Sequence, residues 1–202
     1  NGDKFADKDG GGFATRLVLD DSGQITCEMI DSTGQTVTGD FDLVPILNKF
    51  IDAHPDFSYK GARATLALTG YNGLFGYRTN PDLKDYFGVD AYNKAVTGAT
   101  EIANALLAEG YEFACYTYEN IAYGDSGTAQ IQADLDRWKD EVVPILGQLD
   151  TLVFAQSSEE LKKKRIALQL KNSDVNYKKL TEELAPMIYW EGDPYYPIEI
   201  ME

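Results

Sequence analysis

An α/β fold with a mainly parallel sheet is the architecture this sequence predicts, and three observations carry the prediction. Short β-prone runs alternate with amphipathic helical stretches through most of the chain. The run 64–68 is continuously apolar and bounded by Gly61 and Gly70, which predicts a strand covered on both faces, and 151–155 has the same character. The chain also reads as free of internal repeats, which sets aside solenoids and propellers.

The elements follow in order. Residues 1–12 are polar and glycine-rich and read as a linker or loop, leaving 13–202 as a single domain. Two β-prone runs, 14–19 and 24–30, bracket Asp20-Asp21-Ser22-Gly23, which predicts a hairpin with both aspartates in its turn. A second glycine-bearing turn is expected at Ser32-Thr33-Gly34-Gln35. Asp42 is a predicted N-cap for a helix whose apolar face is Leu43, Val44, Ile46, Leu47, Phe50 and Ile51, ending near His54-Pro55. The glycine-rich stretch 69–79 leaves the end of the buried strand 64–68.

A helix over 91–109 follows, with Ala95, Val96, Ala99, Ile102, Ala103, Leu106 and Leu107 on one face and Gly110 as its stop. Strand 111–116 comes next. Ser126 is the expected N-cap of a helix carrying Ile131, Leu135, Trp138, Val142 and Val143, which Pro144 bends or ends. Beyond strand 151–155, Ser157 or Ser158 caps a helix through Leu161, Ile166 and Leu170, a further helix covers 175–184, and 187–190 is a fourth strand. Whether 195–200 then closes the sheet or packs elsewhere stays open.

Composition narrows the chemistry. The chain has 202 residues, 44% of them hydrophobic, enough for a full core without disulfide staples. Asp plus Glu is 33 against 18 Lys plus Arg, a formal charge of −15, and such a surface repels nucleic acid and anionic lipid. The one basic run, Lys162-Lys163-Lys164-Arg165, is expected on a solvated helix face. No segment of about eighteen apolar residues exists, so no membrane insertion is expected, and no basic-then-apolar leader opens the sequence. A single histidine, His54, excludes any site built on two, and its place before Pro55 gives it a structural or solvated role. Cys27 and Cys115 have no CxxC spacing; whether they pair stays open, and a buried apolar role is favoured for Cys115.

Several ordered segments together resemble a known family. His54-Pro55-Asp56-Phe57-Ser58-Tyr59-Lys60-Gly61-Ala62, Leu68-Thr69-Gly70-Tyr71-Asn72-Gly73, Gly76-Tyr77-Arg78-Thr79, Gly110-Tyr111-Glu112-Phe113-Ala114, then Asp134, Arg137, Trp138 and Lys139, resemble a bacterial branch of the polysaccharide deacetylases, the NodB-homology or carbohydrate esterase family 4 proteins. The similarity spans about residues 13–158, with a weaker echo over 177–190. It implies a distorted (β/α) barrel, here with an N-terminal hairpin, that removes N-acetyl groups from glycans such as peptidoglycan or chitin. A divalent metal such as zinc, held by one Asp and two His, would polarise the amide and activate water.

The two metal histidines of that family belong in a His-Ser/Thr-x-x-His motif, and the corresponding residues here are Tyr116-Thr117-Tyr118-Glu119-Asn120. Tyr116 and Asn120 therefore stand where the histidines should be, and both are weak donors beside imidazole. Glu119 is the one neighbouring oxygen ligand. No cofactor is expected. The family's catalytic Asp pair either lies before residue 1 or is absent, and its late histidine has no counterpart.

The resemblance thus implies an exported or surface-attached bacterial domain whose metal chemistry is lost, a pseudoenzyme with a glycan-facing surface. Aromatic, amide and guanidinium groups of the strand-end loops are the candidate binding residues: Tyr71, Asn72, Tyr77, Arg78 and Tyr118, with Phe75 and Tyr123 nearby. Two alternatives stand beside this reading. One is a working metal-dependent hydrolase with a rebuilt site, and the other is a structural or interaction module of a surface protein.

Overall fold

Asp20 and Asp31 each fold the chain back on itself in the same way. The computed structural model describes residues 14–154 and the strands Tyr189–Trp190 and Asp193–Pro197. Asp20 Oδ1 accepts from the Ser22 amide at 2.8 Å, the Ser22 hydroxyl at 2.6 Å and the Gln24 amide at 2.9 Å. Asp31 Oδ1 accepts from the Thr33 amide, the Thr33 hydroxyl and the Gln35 amide at 2.8, 2.6 and 3.0 Å. Gly23 and Gly34 take the left-handed φ that these turns require. Asp-x-Ser/Thr-Gly-Gln is therefore one turn motif used twice, because both turns solve one local hydrogen-bonding problem.

These turns join β1 (Ala14–Leu19), β2 (Ile25–Ile30) and β3 (Thr36–Gly39) into an antiparallel meander in the order β1-β2-β3, one strand more than a simple hairpin. A register irregularity between Ala14 and Arg16 on β1 lets both Ala14 and Leu17 face inward despite their odd spacing. α1 (Leu43–Ala53) begins at Asp42, whose side chain accepts from the Leu43 amide at 2.7 Å, and ends at His54, as predicted. It packs on β2 through Val44 and Ile51. His54 is exposed and its ring lies 4.5 Å from that of Phe50, a helix-end role.

β4 (Thr65–Leu68) alternates between exposed and half-buried positions, so it is not covered on both faces as its unbroken apolar run suggested. A short 3-10 turn over Pro81–Leu83 leads into α2 (Lys84–Phe87), and Gly88 opens α3 (Val89–Ala108), which packs on β1 and β2 through Ala99, Ile102, Ala103 and Leu106. Gly110, at positive φ, stops it as expected. β5 (Glu112–Cys115) pairs with β4. Glu112 donates its amide to Ala64 and Tyr116 to Leu68, so both partners advance in one direction and the pair is parallel. On the other side of β5, Leu152 makes a single parallel bridge to Cys115, and the expected strand over 151–155 is reduced to that bridge among the described residues.

α4 (Thr128–Arg137) starts at Gly127 rather than Ser126, whose hydroxyl donates back to the Ala122 carbonyl at 2.8 Å instead of capping. The helix widens into a π turn over Trp138–Val142 and continues as α5 (Val143–Leu146) to Gly147. The cause is Pro144, which has no amide to give Asp140 and whose ring crowds that carbonyl; the wider turn removes the conflict and lets the helix bend rather than break. β6 (Tyr189–Trp190) and β7 (Asp193–Pro197) form an antiparallel pair, so 193–197 turns back on the expected fourth strand. The linker 1–12, the helices after Ser157 and over 175–184, and the basic run 162–165 lie outside the described residues.

The protein is thus mixed α/β, with one parallel and two antiparallel sheets among the described residues and no closed barrel among them. Among the described residues two compact units emerge, one comprising 14–66 and 70–112, the other 67–69 and the described residues from 113 on. The first has its core between the meander, α1 and α3. The core of the second includes Phe113, Ala114, Ile131, Leu135, Trp138, Val142 and Leu146. No described helix is long and apolar enough to cross a membrane.

Candidate functional site

In the first unit the glycine-rich stretch after β4 folds into a compact loop. The Gly73 amide bonds the Gly70 carbonyl, and Leu74 and Tyr77 exchange both backbone hydrogen bonds at 3.1 and 2.8 Å. Between them Phe75 and Gly76 both have positive φ, 55° and 88°, the mirror-image turn that suits a two-residue reversal. The Phe75 carbonyl accepts from the Leu17 amide at 3.0 Å, fixing the turn to β1. Asn80 holds the exit: its side chain donates to the Tyr71 carbonyl and accepts from the Asp82 amide.

This loop, β1, α2 with the turn before it, and the start of α3 border a half-open cavity of about 320 Å³. Its polar rim carries Arg16, Arg78 and Lys94, its rings are Tyr77, Phe87 and Tyr92, and Ala91 and Ala95 of α3 leave the space open. Arg16 is held by Glu28 through contacts of 2.7 and 3.2 Å, and its guanidinium carbon lies 5.5 Å from the Tyr77 ring centroid. The Glu28 contact, more than the opposing burial, raises the Arg16 pKa. Burial is the main cause that raises the Tyr77 phenol; Glu28 and Glu101 add to it and Arg16 opposes it. Tyr77 is therefore a neutral ring with a hydroxyl donor across the ordinary pH range. Lys84 stacks over Tyr92 at 4.2 Å and adds a cation beside the rim.

In the second unit the loop leaving β5 is organised by one buried carboxylate. Asp134 Oδ2 accepts from the Tyr118 amide and the Tyr123 hydroxyl, both at 2.7 Å, and Oδ1 from the Glu119 amide at 2.8 Å. Thr117 and Asn120 take positive φ, 62° and 56°, a conformation that costs a β-branched threonine more than most. Thr117 is fully buried and its hydroxyl accepts from the Ile121 amide at 3.0 Å. Arg137 joins Glu141 at 2.8 Å and Glu119 at 3.3 Å and lies 4.4 Å from the Tyr118 ring centroid. Tyr118 donates its hydroxyl to Glu141.

The expected site residues therefore separate. Tyr77 and Arg78 line the cavity of the first unit. Tyr71 and Asn72 belong to the same loop, Tyr71 exposed and Asn72 half-buried, but neither lines the cavity. Tyr118 belongs to the second unit and is 0% exposed, so in this conformation its ring has no face to offer a sugar. Arg16, Tyr92 and Lys94 are cavity residues that the sequence reading did not single out. A lone glycine inside a long helix, Gly98, was the available signal, because such a residue marks a close approach.

The donor set over Tyr116, Glu119 and Asn120 does not fit zinc. Tyr116 and Asn120 bring a phenol and an amide, and the Glu119 carboxylate is already engaged by Arg137. No three His, Cys, Asp or Glu side chains converge among the described residues. Cys27 and Cys115 are free and buried, and burial pushes the Cys115 thiol up to about 12. Comparison with protein-family models, curated proteins and solved structures finds no match for this chain.

Proposed function

We propose that this chain is a polysaccharide deacetylase-like domain, of the distorted (β/α) barrel type, in which deacetylation has been lost and glycan binding kept, at a bacterial cell envelope. The observation that carries the binding reading is the cavity formed by Tyr77, Arg78, Phe87 and Tyr92. Pyranose rings bind by laying their C–H faces on aromatic side chains and by hydrogen bonds to fixed polar groups, and a cavity of about 320 Å³ has the dimensions of a small-ligand site. The loss of catalysis rests on the donors Tyr116 and Asn120 at the positions that the resemblance gives to metal histidines, and on the Glu119 contact to Arg137.

Isothermal titration with a panel of neutral and acidic oligosaccharides tests the binding reading. At least one glycan is expected to bind, and Ala95→Leu, which fills the cavity from α3 with a good helix former, should abolish that binding without unfolding. Binding unchanged by Ala95→Leu, or no binding across the panel, overturns the assignment. Acetate release from acetylated chitooligosaccharides at ordinary enzyme rates would overturn the loss of catalysis.

A further inference from the structure

The outer edge of the meander is open, and an apolar flank of α1 lies beside it. Thr26 and Cys27 of β2 donate their side chains to the Gly39 carbonyl, both at 2.9 Å, so Gly39 faces β2. Backbone direction alternates along a strand, so Val37 faces β2 as well, while the amides and carbonyls of Thr36 and Thr38 point away from it. No described residue hydrogen-bonds these four groups. Proteins guard such an edge with a charge, a proline or a bulge, and Thr36-Val37-Thr38-Gly39 has none of them in a chain that is 25% charged. On α1, Asn48 reaches Glu109 at the end of α3 and accepts from Tyr111. Leu43, Ile46 and Phe50 occupy the opposite side of the helix and are 58, 52 and 44% exposed. Because α3 covers β1 and β2, that side of α1 is the β3 side. The Phe41 ring, 41% exposed, lies against Gly39, and Lys49 pairs with Asp40, which ties the helix to the end of β3.

We propose that a second copy of this chain docks here, β3 against β3 in antiparallel register about a twofold axis at Val37, so that the meanders form one six-stranded sheet with both α1 helices on one face. Thr36-Val37-Thr38 reads the same in both directions. Pairing centred on Val37 sets Thr36 opposite the partner's Thr38, and each of the two such pairs exchanges two N–H···O bonds through the groups that are otherwise unpartnered. The same register sets Asp40 opposite the partner's Gly34 and Asp31 opposite the partner's Leu43, so carboxylates do not face one another. At their exposures Phe41, Leu43, Ile46 and Phe50 each leave on the order of 100 Å² open, so with the strand edge two copies bury roughly 1,000 Å², the lower end of specific interfaces. An extended peptide from another protein satisfies the strand edge but leaves the α1 flank bare; a second copy covers both. Each copy carries a charge of −15, so association is expected to tighten as salt screens the repulsion. β1, which lines the cavity, is the opposite edge of the meander, so this surface is independent of the glycan-binding reading.

Sedimentation velocity of the full chain over about 1–200 µM, at low and moderate salt, reads the assembly directly. A species of twice 22.4 kDa is expected to grow with concentration and with salt. Thr38→Pro removes an outward amide but no bond to β2 and should weaken dimerisation about a hundredfold or more. Ile46→Lys, at an exposed helical position, should weaken it roughly tenfold or more, because each variant acts twice across the axis. Val37→Cys tests the register. It brings two thiols together at a non-hydrogen-bonded pair, with Cα atoms about 4.5 Å apart and within disulfide reach, so mild oxidation should cross-link it. Ser32→Cys, in the exposed turn, should stay monomeric under the same oxidation, and the native Cys27 and Cys115 are buried. A monomer at every concentration and salt overturns the inference, as does a dimer indifferent to both Thr38→Pro and Ile46→Lys, or equal cross-linking of the two cysteine variants. Should Thr38→Pro fail to fold by circular dichroism, Ile46→Lys and the cysteine pair decide by the same criteria.

Discussion

A Cβ placed on Gly98 would come within 2.4 Å of Tyr77 Cε1, so the middle of α3 is open at one residue for the Tyr77 ring to lie against it. Gly98→Ala therefore sets two effects against each other. Alanine improves the helix by about 0.5–1 kcal/mol, while the methyl pushes the ring off its seat and forfeits a cation–π contact with Arg16 of similar size. The expected outcome is a thermal midpoint within a few degrees of wild type with roughly tenfold weaker glycan affinity, read by calorimetry and titration on one sample. An unchanged affinity would show that the position of Tyr77 does not matter to binding.

Gly76 is a harder constraint. Its φ is +88°, and a Cβ there would sit 2.1 Å from the Thr15 carbonyl oxygen and 2.5 Å from Arg16 Cα, both backbone atoms that cannot swing away. Gly76→Ala should cost more than about 2 kcal/mol in urea unfolding, because left-handed strain and backbone displacement add. Gly23→Ala, also left-handed but with open space around it, should cost only the strain, about 1–2 kcal/mol. Equal losses in the two variants would deny the close approach at Gly76.

Local patterns were legible in the sequence; which side chains meet was not. Asp42, Gly110 and the two turns act through hydrogen bonds and φ values within a few residues, so composition and spacing reveal them. The unbroken run at 64–68 misled, because apolar composition does not say whether a neighbour covers each face. Tyr118 carries every mark of a loop aromatic, yet Asp134, Arg137 and Glu141 draw it inside. Lys94 and Arg16 lie far apart in sequence and share a cavity only because α3 packs on β1.

Asp134 holds the loop after β5 through three donors, and the two oxygens are not equivalent. Asp134→Ala strands two amides and a phenol, which should cost about 3–5 kcal/mol. Asp134→Asn keeps one acceptor: with its carbonyl at the Oδ2 position it still serves Tyr118 and Tyr123, but its amide then faces the Glu119 N–H, donor against donor. An intermediate loss of about 1–3 kcal/mol is expected from urea unfolding. Equal losses for Ala and Asn would mean that the negative charge, rather than the number of acceptors, stabilises the loop.

Cys115 should be inert in the folded chain. Burial pushes its thiol up to about 12, with the Thr117 amide opposing, so at mildly alkaline pH almost no thiolate forms and little of the sulfur is accessible. Iodoacetamide should label it only after denaturant is added, as mass spectrometry of peptides from both conditions would show. Rapid native labelling would mean that the second unit opens locally without global unfolding.

The twin turns make acid sensitivity a property of the meander. Hydroxyl donation by Ser22, helped by the Gln24 amide, holds Asp20 below its ordinary value of 3.8, and Thr33 with the Gln35 amide does the same for Asp31. A carboxylate with a depressed folded pKa contributes stability that is fully present above its unfolded pKa. That stability is lost as the pH falls through the lower folded value, so the loss begins below 3.8 and not near neutrality. Asparagine at both positions keeps an acceptor for the same donors but cannot titrate. Relative to wild type, Asp20→Asn with Asp31→Asn should therefore lower the urea midpoint at about pH 6 and reduce its further fall on going to about pH 2.5. A double variant whose midpoint falls with acid as steeply as that of wild type would place the acid sensitivity at other carboxylates.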